Sequence, residues 1–180
     1  MVPEAPLEQT EHGMAPAGEG WFVLNARDAV WRHADGRGAF CDVEGKTEFP
    51  QYGVNLFVLE PGEPMAMYHW EVDQEDFLVL AGEALLIAEG EERRLRQWDL
   101  AHCPTGTKHV IVGAGERPCV VLAVGARANQ EGPDWGGYPV DEAALRHGAG
   151  AEKETNDPKE AYAAVQRRQP TRYREGWLPD

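Results

Sequence analysis

The strongest constraint on the fold is a succession of short apolar or alternating runs, separated by turn-forming residues, that begins near residue 20 and continues to residue 125. These runs include "YGVNLFVLE", "DFLVL", "HVIVGAG" and "CVVLAVG". The breaks between them include "PG" at 61–62, "PTGT" at 104–107 and "GAGERP" at 113–118, where glycine and proline supply the backbone angles of tight turns. Strands of this length at this spacing are typical of an all-β sandwich or barrel.

The two ends of the chain differ from this strand-rich middle. Residues 1–20 are rich in Glu, Pro, Ala and Gly without an apolar period, which indicates a flexible N-terminal arm. Residues 21–127 are predicted to form the barrel, and residues 128–180 a loop and helical extension. In the extension, "ANQEGPDWGGYP" predicts a glycine-rich loop, "VDEAALRHG" a short helix capped by Asp141, and "NDPKEAYAAVQRR" a second helix capped by Asp157.

Composition limits the classes of partner. The chain has 17 Lys+Arg against 31 Asp+Glu, a net charge of -14, which repels nucleic acid and anionic membrane surfaces. Its 3 cysteines, an odd number at unrelated spacings, favour a reducing compartment over a disulfide scaffold. No window approaches the roughly 18 apolar residues of a membrane span, and the N-terminus has no apolar signal region. We therefore expect a cytoplasmic protein that binds neither nucleic acid nor membranes.

Four titratable residues are predicted to converge from three strands. If "PMAMYHWE" is a strand, His69 and Glu71 point to the same face, because side chains alternate along a strand. A turn would bring the next strand back beside the first, with Glu75 on the same side. His109 opens a third strand just after "PTGT". Two imidazoles and two carboxylates can thus meet in one pocket.

The spacing of these residues resembles the first motif of the cupin superfamily. That motif is a glycine, five or six residues, His-x-His, three or four residues, Glu, six residues and a second glycine. In this chain the frame is filled by Gly62, His69, Glu71, Glu75 and Gly82, with Glu71 where the family usually has its second histidine.

The second cupin motif, Pro-x-Gly-x-x-His, is matched by Pro104, Gly106 and His109. Trp98 stands where that motif usually has a leading glycine, and Gly113 where it usually has an asparagine. The two motifs occur in the expected order, and together the resemblance covers residues from about 53 to 125. It implies a double-stranded β-helix (jelly-roll) barrel, and, because single-domain cupins often pair, a homodimer.

The resemblance also implies a metal site. Two imidazoles with carboxylates suit a divalent ion such as Fe(II), Mn(II), Ni(II) or Zn(II) and leave coordination positions open for substrate. We predict His69, Glu71, Glu75 and His109 as the ligand set. Glu71 has an alternative role as the catalytic general base, and it can also be a solvated turn residue.

His102 and Cys103 precede the second motif and raise a separate question. A Cys103 thiolate would draw the site toward zinc. The interpretation we favour is that Cys103 fills a small volume in the core, where a buried free cysteine is common. The two residues have opposite strand parity, so at most one of them faces the pocket.

The apolar residues predicted to line the barrel core follow from the same strand assignments. They are Phe57, Leu59, Met65, Met67, Phe77, Val79, Leu85, Ile87, Ile111, Val121 and Ala123.

These features predict a metal-dependent enzyme that acts on a small organic molecule, with a dioxygenase-like oxygenase and an isomerase among the candidate activities. The alternative is a small-ligand-binding or metal-binding module without turnover. A transcription factor is disfavoured, because the chain has no helix-turn-helix pattern and no basic patch. The C-terminal segment is predicted to pack either on the barrel mouth, where "DWGGYPVDEAALRH" would act as a lid over the pocket, or on a partner subunit, through "YAAVQRR" and "RYREGW".

Overall fold

The computed structural model describes residues 1–46, 48–129 and 134–180. Its elements, in chain order, are β1 (Leu7–Thr10), β2 (Gly13–Pro16), β3 (Val30–Ala34), β4 (Arg37–Asp42), β5 (Tyr52–Leu59), β6 (Trp70–Glu71), β7 (Glu75–Ala81), β8 (Glu83–Ala88), β9 (Glu91–Arg96), β10 (Leu100–Cys103), β11 (His109–Ala114), β12 (Cys119–Ala126), β13 (Gly136–Gly137), α1 (Glu142–Arg146), α2 (Pro158–Ala161) and β14 (Gln169–Thr171).

Two antiparallel sheets form the body of the protein. The larger sheet has the strand order β10-β7-β12-β5-β4-β3-β14, and the smaller has the order β11-β8-β9. Two-stranded ladders join β1 to β2 and β13 to β6. This is the all-β, double-stranded β-helix architecture that the sequence predicted.

The barrel core lies between these two sheets and contains most of the predicted core residues. Six of them are buried there and two more are half-buried against it, in the order Leu59, Met65, Phe77, Val79, Ile111, Val121, Phe57 and Ala123. Three predictions were wrong in direction: Met67, Leu85 and Ile87 pack outside the barrel, in contact with the C-terminal part of the chain. In β8 it is Ala84 and Leu86 that point into the barrel.

The predicted strand over "PMAMYHWE" is also shorter than expected, since only Trp70–Glu71 is regular. The preceding residues run along β11 through isolated bridges, Pro64 with Val112 and His69 with His109. The backbone N–H groups of Met67 and Tyr68 donate instead to Tyr162 Oη and Ala149 O, in the C-terminal segment. Competition from these acceptors ends the ladder.

A hairpin of β1 and β2 occupies the middle of the predicted flexible arm, residues 1–20. Backbone hydrogen bonds tie this region to residues 21–29, with Ala5 N donating to Trp21 O and Met14 N donating to Asp28 O. The sequence did not predict these strands, because they are held by backbone pairing and carry little apolar alternation.

The C-terminal segment, residues 134–180, contains both predicted helices. Asp141 caps α1 by accepting from Ala144 N at 2.8 Å, and Asp157 caps α2 by accepting from Lys159 N at 2.8 Å. Helix α2 ends at Ala161, well before the predicted end, and the chain continues into β14, which pairs with β3. Residues 130–133 of the predicted glycine-rich loop lie outside the described residues. Neither helix in the described part of the chain is long and apolar enough to cross a membrane.

The C-terminal segment packs on three outer faces of the barrel. Trp177 packs against Trp31, with ring centroids 5.0 Å apart. Helix α1 covers Tyr68 and Ile87. Tyr138 and α2 cover Met67. The apolar residues on both faces of β8 therefore have partners.

Candidate metal centre

Three predicted ligands meet at one point inside the barrel. Glu75 Oε2 lies 3.2 Å from His109 Nε2 and 3.4 Å from His69 Nε2. The ligand atoms of these three residues all lie within 4.8 Å of one another. Both histidines are buried and Glu75 is half-buried. One divalent ion can therefore be reached by two imidazoles and one carboxylate, the donor set of a facial triad.

The backbone sets these positions. His69 and His109 form an antiparallel bridge, in which His69 N donates to His109 O at 3.1 Å and His109 N donates to His69 O at 2.8 Å. Glu75 begins β7 and pairs with Gly125 of β12. The site thus joins both sheets.

The hydrogen bonds of the two rings fix which nitrogen is available. His69 Nδ1 lies 2.8 Å from Met67 O, and His109 Nδ1 lies 2.9 Å from Thr107 O. A carbonyl oxygen only accepts, so each Nδ1 carries a proton. In a neutral ring the Nε2 atom then presents a lone pair toward Glu75.

Two of the converging atoms are buried without a hydrogen bond. Glu75 Oε2 and His109 Nε2 have no hydrogen-bond partner among the described residues. With neutral rings, the Nε2 atoms and the carboxylate oxygen are all acceptors, and acceptors at this distance require a cation between them. The residues present therefore fit a divalent metal ion.

In the metal-free site, the pKa values of His69, His109 and Glu75 are shifted in the directions that let protons lie between the rings and the carboxylate. Burial lowers the pKa of His69, but the neighbouring carboxylates of Glu71 and Glu75 outweigh burial and raise that pKa to about 10. Burial also lowers the pKa of His109, but the neighbouring Cys103 and Glu75 side chains outweigh burial and raise that pKa to about 9. Burial raises the pKa of Glu75, but the two histidines outweigh it and lower that pKa to about 2.

Glu71, the fourth predicted ligand, also reaches the site. Its Oε1 lies 3.5 Å from His69 Nε2, and its side chain lines the same cavity. The group of converging ligand atoms, however, consists of His69, Glu75 and His109. A role for Glu71 as ligand or as base stays a prediction.

His102 and Cys103 point in opposite directions, as their parity predicted. The His102 side chain is 52% exposed, and its Nδ1 lies 2.6 Å from Asp76 Oδ1 on the outer surface. Cys103 is buried in the barrel core, where it neighbours His109. This location agrees with the interpretation of Cys103 as a core residue.

The site opens into a cavity of about 290 Å³. Its lining includes four aromatic residues, Phe57, Phe77, Tyr138 and Tyr162. The Tyr138 ring lies 6.0 Å from the His69 ring, and burial raises the Tyr138 pKa well above its ordinary value. Tyr138 belongs to the stretch predicted as a lid, and the cupin motifs gave no indication of its position.

An ion pair that the sequence analysis missed borders the same cavity. Arg127 donates from Nη1 to Glu44 Oε2 at 2.6 Å and from Nη2 to Glu44 Oε1 at 3.1 Å. Arg127 also donates to Phe49 O. The two residues are 83 positions apart, and no local pattern links them. The pair neutralises the arginine that lines the cavity.

Comparison with known families agrees with this geometry. The family model of the cupin domain matches residues 55–125. The chain therefore contains a cupin domain. The two departures of this cupin domain from the second motif lie at backbone positions suited to glycine. Trp98 has a φ of 74°, a conformation that favours glycine. A Cβ on Gly113 would lie 2.1 Å from Glu60 O, so a larger residue does not fit.

Solved structures with a similar fold include proteins with different activities and proteins of unassigned activity. An uncharacterised conserved protein with a double-stranded β-helix domain from Klebsiella pneumoniae subsp. pneumoniae MGH 78578 is 23% identical (TM-score 0.50; 59% of this chain, 85% of that chain). The polyketide cyclase RemF from Streptomyces resistomycificus is 14% identical (TM-score 0.50; 58% and 78%). Both share the fold of the cupin domain.

A sugar phosphate isomerase of the cupin superfamily from Silicibacter pomeroyi DSS-3 is 28% identical (TM-score 0.44; 52% of this chain). The chain spans 61% of the length of that isomerase. No curated protein matches the chain.

Proposed function

We propose that the cupin domain is a metal-dependent enzyme that acts on a small organic molecule. The observation that carries this proposal is the convergence of Glu75 Oε2 and His109 Nε2, both buried without hydrogen bonds, on the cavity that also contains His69. We assign His69, Glu75 and His109 as ligands of Fe(II), Mn(II), Ni(II) or Zn(II). Such an ion would supply Lewis-acid or, for iron, redox chemistry.

Glu71 is the best candidate for proton transfer. It lines the cavity beside His69 but lies outside the three-residue ligand group. A carboxylate in that position can accept a proton from a bound substrate, because it stands at the edge of the site. We therefore favour Glu71 as the general base over Glu71 as a fourth ligand.

The cavity favours a small substrate that has both an apolar part and polar groups. Its described lining includes four aromatic rings, and Asn55 and Glu71 add polar side chains beside the metal-site residues. Among the described lining residues, the arginine is already paired with Glu44. A phosphate group would therefore find no uncompensated guanidinium in this cavity.

The alternative is a cupin that binds a ligand or metal without turnover. Metal content of the purified protein comes first, followed by reconstitution with each of the four ions. Oxygen uptake and product analysis of the Fe(II) form with candidate phenols and diketones then separate the two functions. Turnover that is lost in His109→Ala supports the enzyme, whereas saturable binding without product supports the module.

The homodimer and the cytoplasmic location stay predictions. Light scattering coupled to size-exclusion chromatography measures the first, and cell fractionation measures the second.

A further inference from the structure

Arg37 is a buried charge without a counterion among the described residues. It begins β4 and is only 8% exposed. Its guanidinium lies over the ring of Tyr162, with Cζ 4.7 Å from the ring centroid. In residues 1–46, 48–129 and 134–180, no side chain forms an ion pair with Arg37 and no acceptor forms a hydrogen bond with its guanidinium.

Arg37 lines a second cavity, separate from the metal site. This cavity has a volume of about 280 Å³ and lies between the β3–β4 turn, the segment 64–67 and the C-terminal residues 164–166. Asp35 and Gln166 also line it, and both are exposed. The buried Arg37 therefore shares this cavity with exposed residues of the turn and of the C-terminal segment.

A second guanidinium increases the positive charge in this region. Arg168 donates from Nε to Gly38 O at 2.5 Å and from Nη2 to Met65 O at 2.8 Å. Burial and the charge of Arg37 lower the pKa of Arg168 to about 10. Glu63 acts in the opposite direction, but within the described residues neither arginine has a carboxylate at ion-pair distance.

Burial of a guanidinium without a counterion is costly, whereas a charge-assisted pair offsets the lost hydration. The chain carries 31 acidic residues, yet the structure pairs none of the described ones with Arg37. Stacking on Tyr162 satisfies one face of the guanidinium and leaves its N–H edge for an acceptor.

We infer that the cavity between the β3–β4 turn and residues 164–166 is a binding site for a small oxoanion, held by the N–H edge of Arg37. The planar fork of the guanidinium suits two oxygens of a phosphate, a sulfate or a carboxylate. This site is independent of the proposed metal chemistry.

Inorganic phosphate is the probe, titrated into the 180-residue chain at constant ionic strength and followed by calorimetry and thermal unfolding. We expect saturable binding that raises the unfolding temperature. Arg37→Met should weaken binding at least about tenfold, whereas Arg167→Met, which removes an exposed arginine, should not. Absence of saturable binding in the wild type, or equal binding by Arg37→Met, overturns the inference.

Two further tests distinguish this site from phosphate bound at the metal or held by overall charge. Asp35→Asn removes a carboxylate that lines the cavity and leaves the core intact, so phosphate binding should become tighter. Phosphate binding should be the same before and after divalent metal is removed with a chelator, because a metal-bound phosphate would be lost with the metal. Weaker binding by Asp35→Asn, or loss of binding on metal removal, contradicts the assignment.

Discussion

His69 and His109 face each other across a single antiparallel bridge, and their rings lie 5.0 Å apart. Because each residue donates its backbone N–H to the carbonyl of the other, the spacing of the imidazoles is fixed by the backbone. The two strands meet only in the folded barrel. Formation of the metal site is therefore coupled to folding, and metal binding should stabilise the fold.

In the metal-free protein the stability contributed by the histidines depends on pH. The pKa values of His69 (about 10) and His109 (about 9) lie above the ordinary 6.5, so folding takes up protons. Their contribution is complete below pH 6.5 and is lost as the pH rises through 9 to 10. We expect the unfolding temperature of the metal-free protein to fall over that range.

Glu75 sets the acidic limit of the same effect. Its pKa is lowered from 4.5 to about 2, so its contribution is present above pH 4.5 and is lost as the pH falls toward 2. Saturating Zn(II) replaces the shared protons, and the alkaline loss should then disappear. An alkaline loss of the same size in metal-free His69→Ala would contradict this account.

Replacement of the ligands should act unequally on metal affinity. His69→Ala and His109→Ala are each expected to weaken divalent metal binding by about a hundredfold or more, since each removes a proposed ligand. His102→Ala is the matched control, because that ring points to solvent and contacts Asp76. Competition with a chromophoric chelator measures all three. Equal losses from the three variants would mean that the ligand assignment is wrong.

Substitution should distinguish the roles of the two carboxylates, Glu75 and Glu71. Glu75→Gln is expected to lose metal affinity, since Glu75 Oε2 is the atom shared by both histidines. Glu71→Gln should keep the metal within severalfold and lower kcat, if Glu71 accepts the substrate proton. Metal content and kcat are measured on the same preparations. Loss of the metal in Glu71→Gln would make Glu71 a ligand.

The Trp177 side chain is predicted to be a major contributor to stability. It is 8% exposed and packs against Trp31, which is fully buried. Trp177→Ala should reduce the free energy of unfolding by about 3 kcal/mol or more. Trp98→Ala, at a site 67% exposed, should change it by less than about 0.5 kcal/mol. Urea titrations followed by circular dichroism compare the two.

Trp98 also offers a test of backbone strain. Its φ of 74° is a conformation that glycine adopts without steric cost. Trp98→Gly should therefore be more stable than Trp98→Ala by about 1 kcal/mol. Equal stabilities of these two variants in urea would show that the turn carries no strain.

The barrel and the convergence of His69, Glu75 and His109 were predictable because both depend on spacing along the chain. Strand alternation placed His69 and Glu71 on one face, a turn brought Glu75 back beside them, and the turn before His109 marked the second motif. Ion pairs between residues far apart in the sequence were not predictable in this way. Glu44 follows β4 and Arg127 follows β12, and no periodicity connects them.

The prediction of which β8 side chains face the barrel was wrong for a related reason. Leu85 and Ile87 were predicted to face the barrel, but they pack outward under α1. Residues 84–88 are apolar on both faces, because the C-terminal segment covers the outer side. Alternation cannot distinguish inside from outside in such a strand. The same reasoning applies to Met67, whose outer cover is Tyr138.

The pairing of β14 with β3 has a consequence for synthesis of the protein. Strand β3 leaves the ribosome early, yet its edge partner at Gln169–Thr171 and the Trp177 ring that covers Trp31 are made long after it. Until those residues emerge, β3 has an unpaired edge and the apolar face of Trp31 is uncovered. Translation interrupted before β14 would therefore leave a barrel with an unpaired strand edge and an exposed apolar face, both of which favour aggregation.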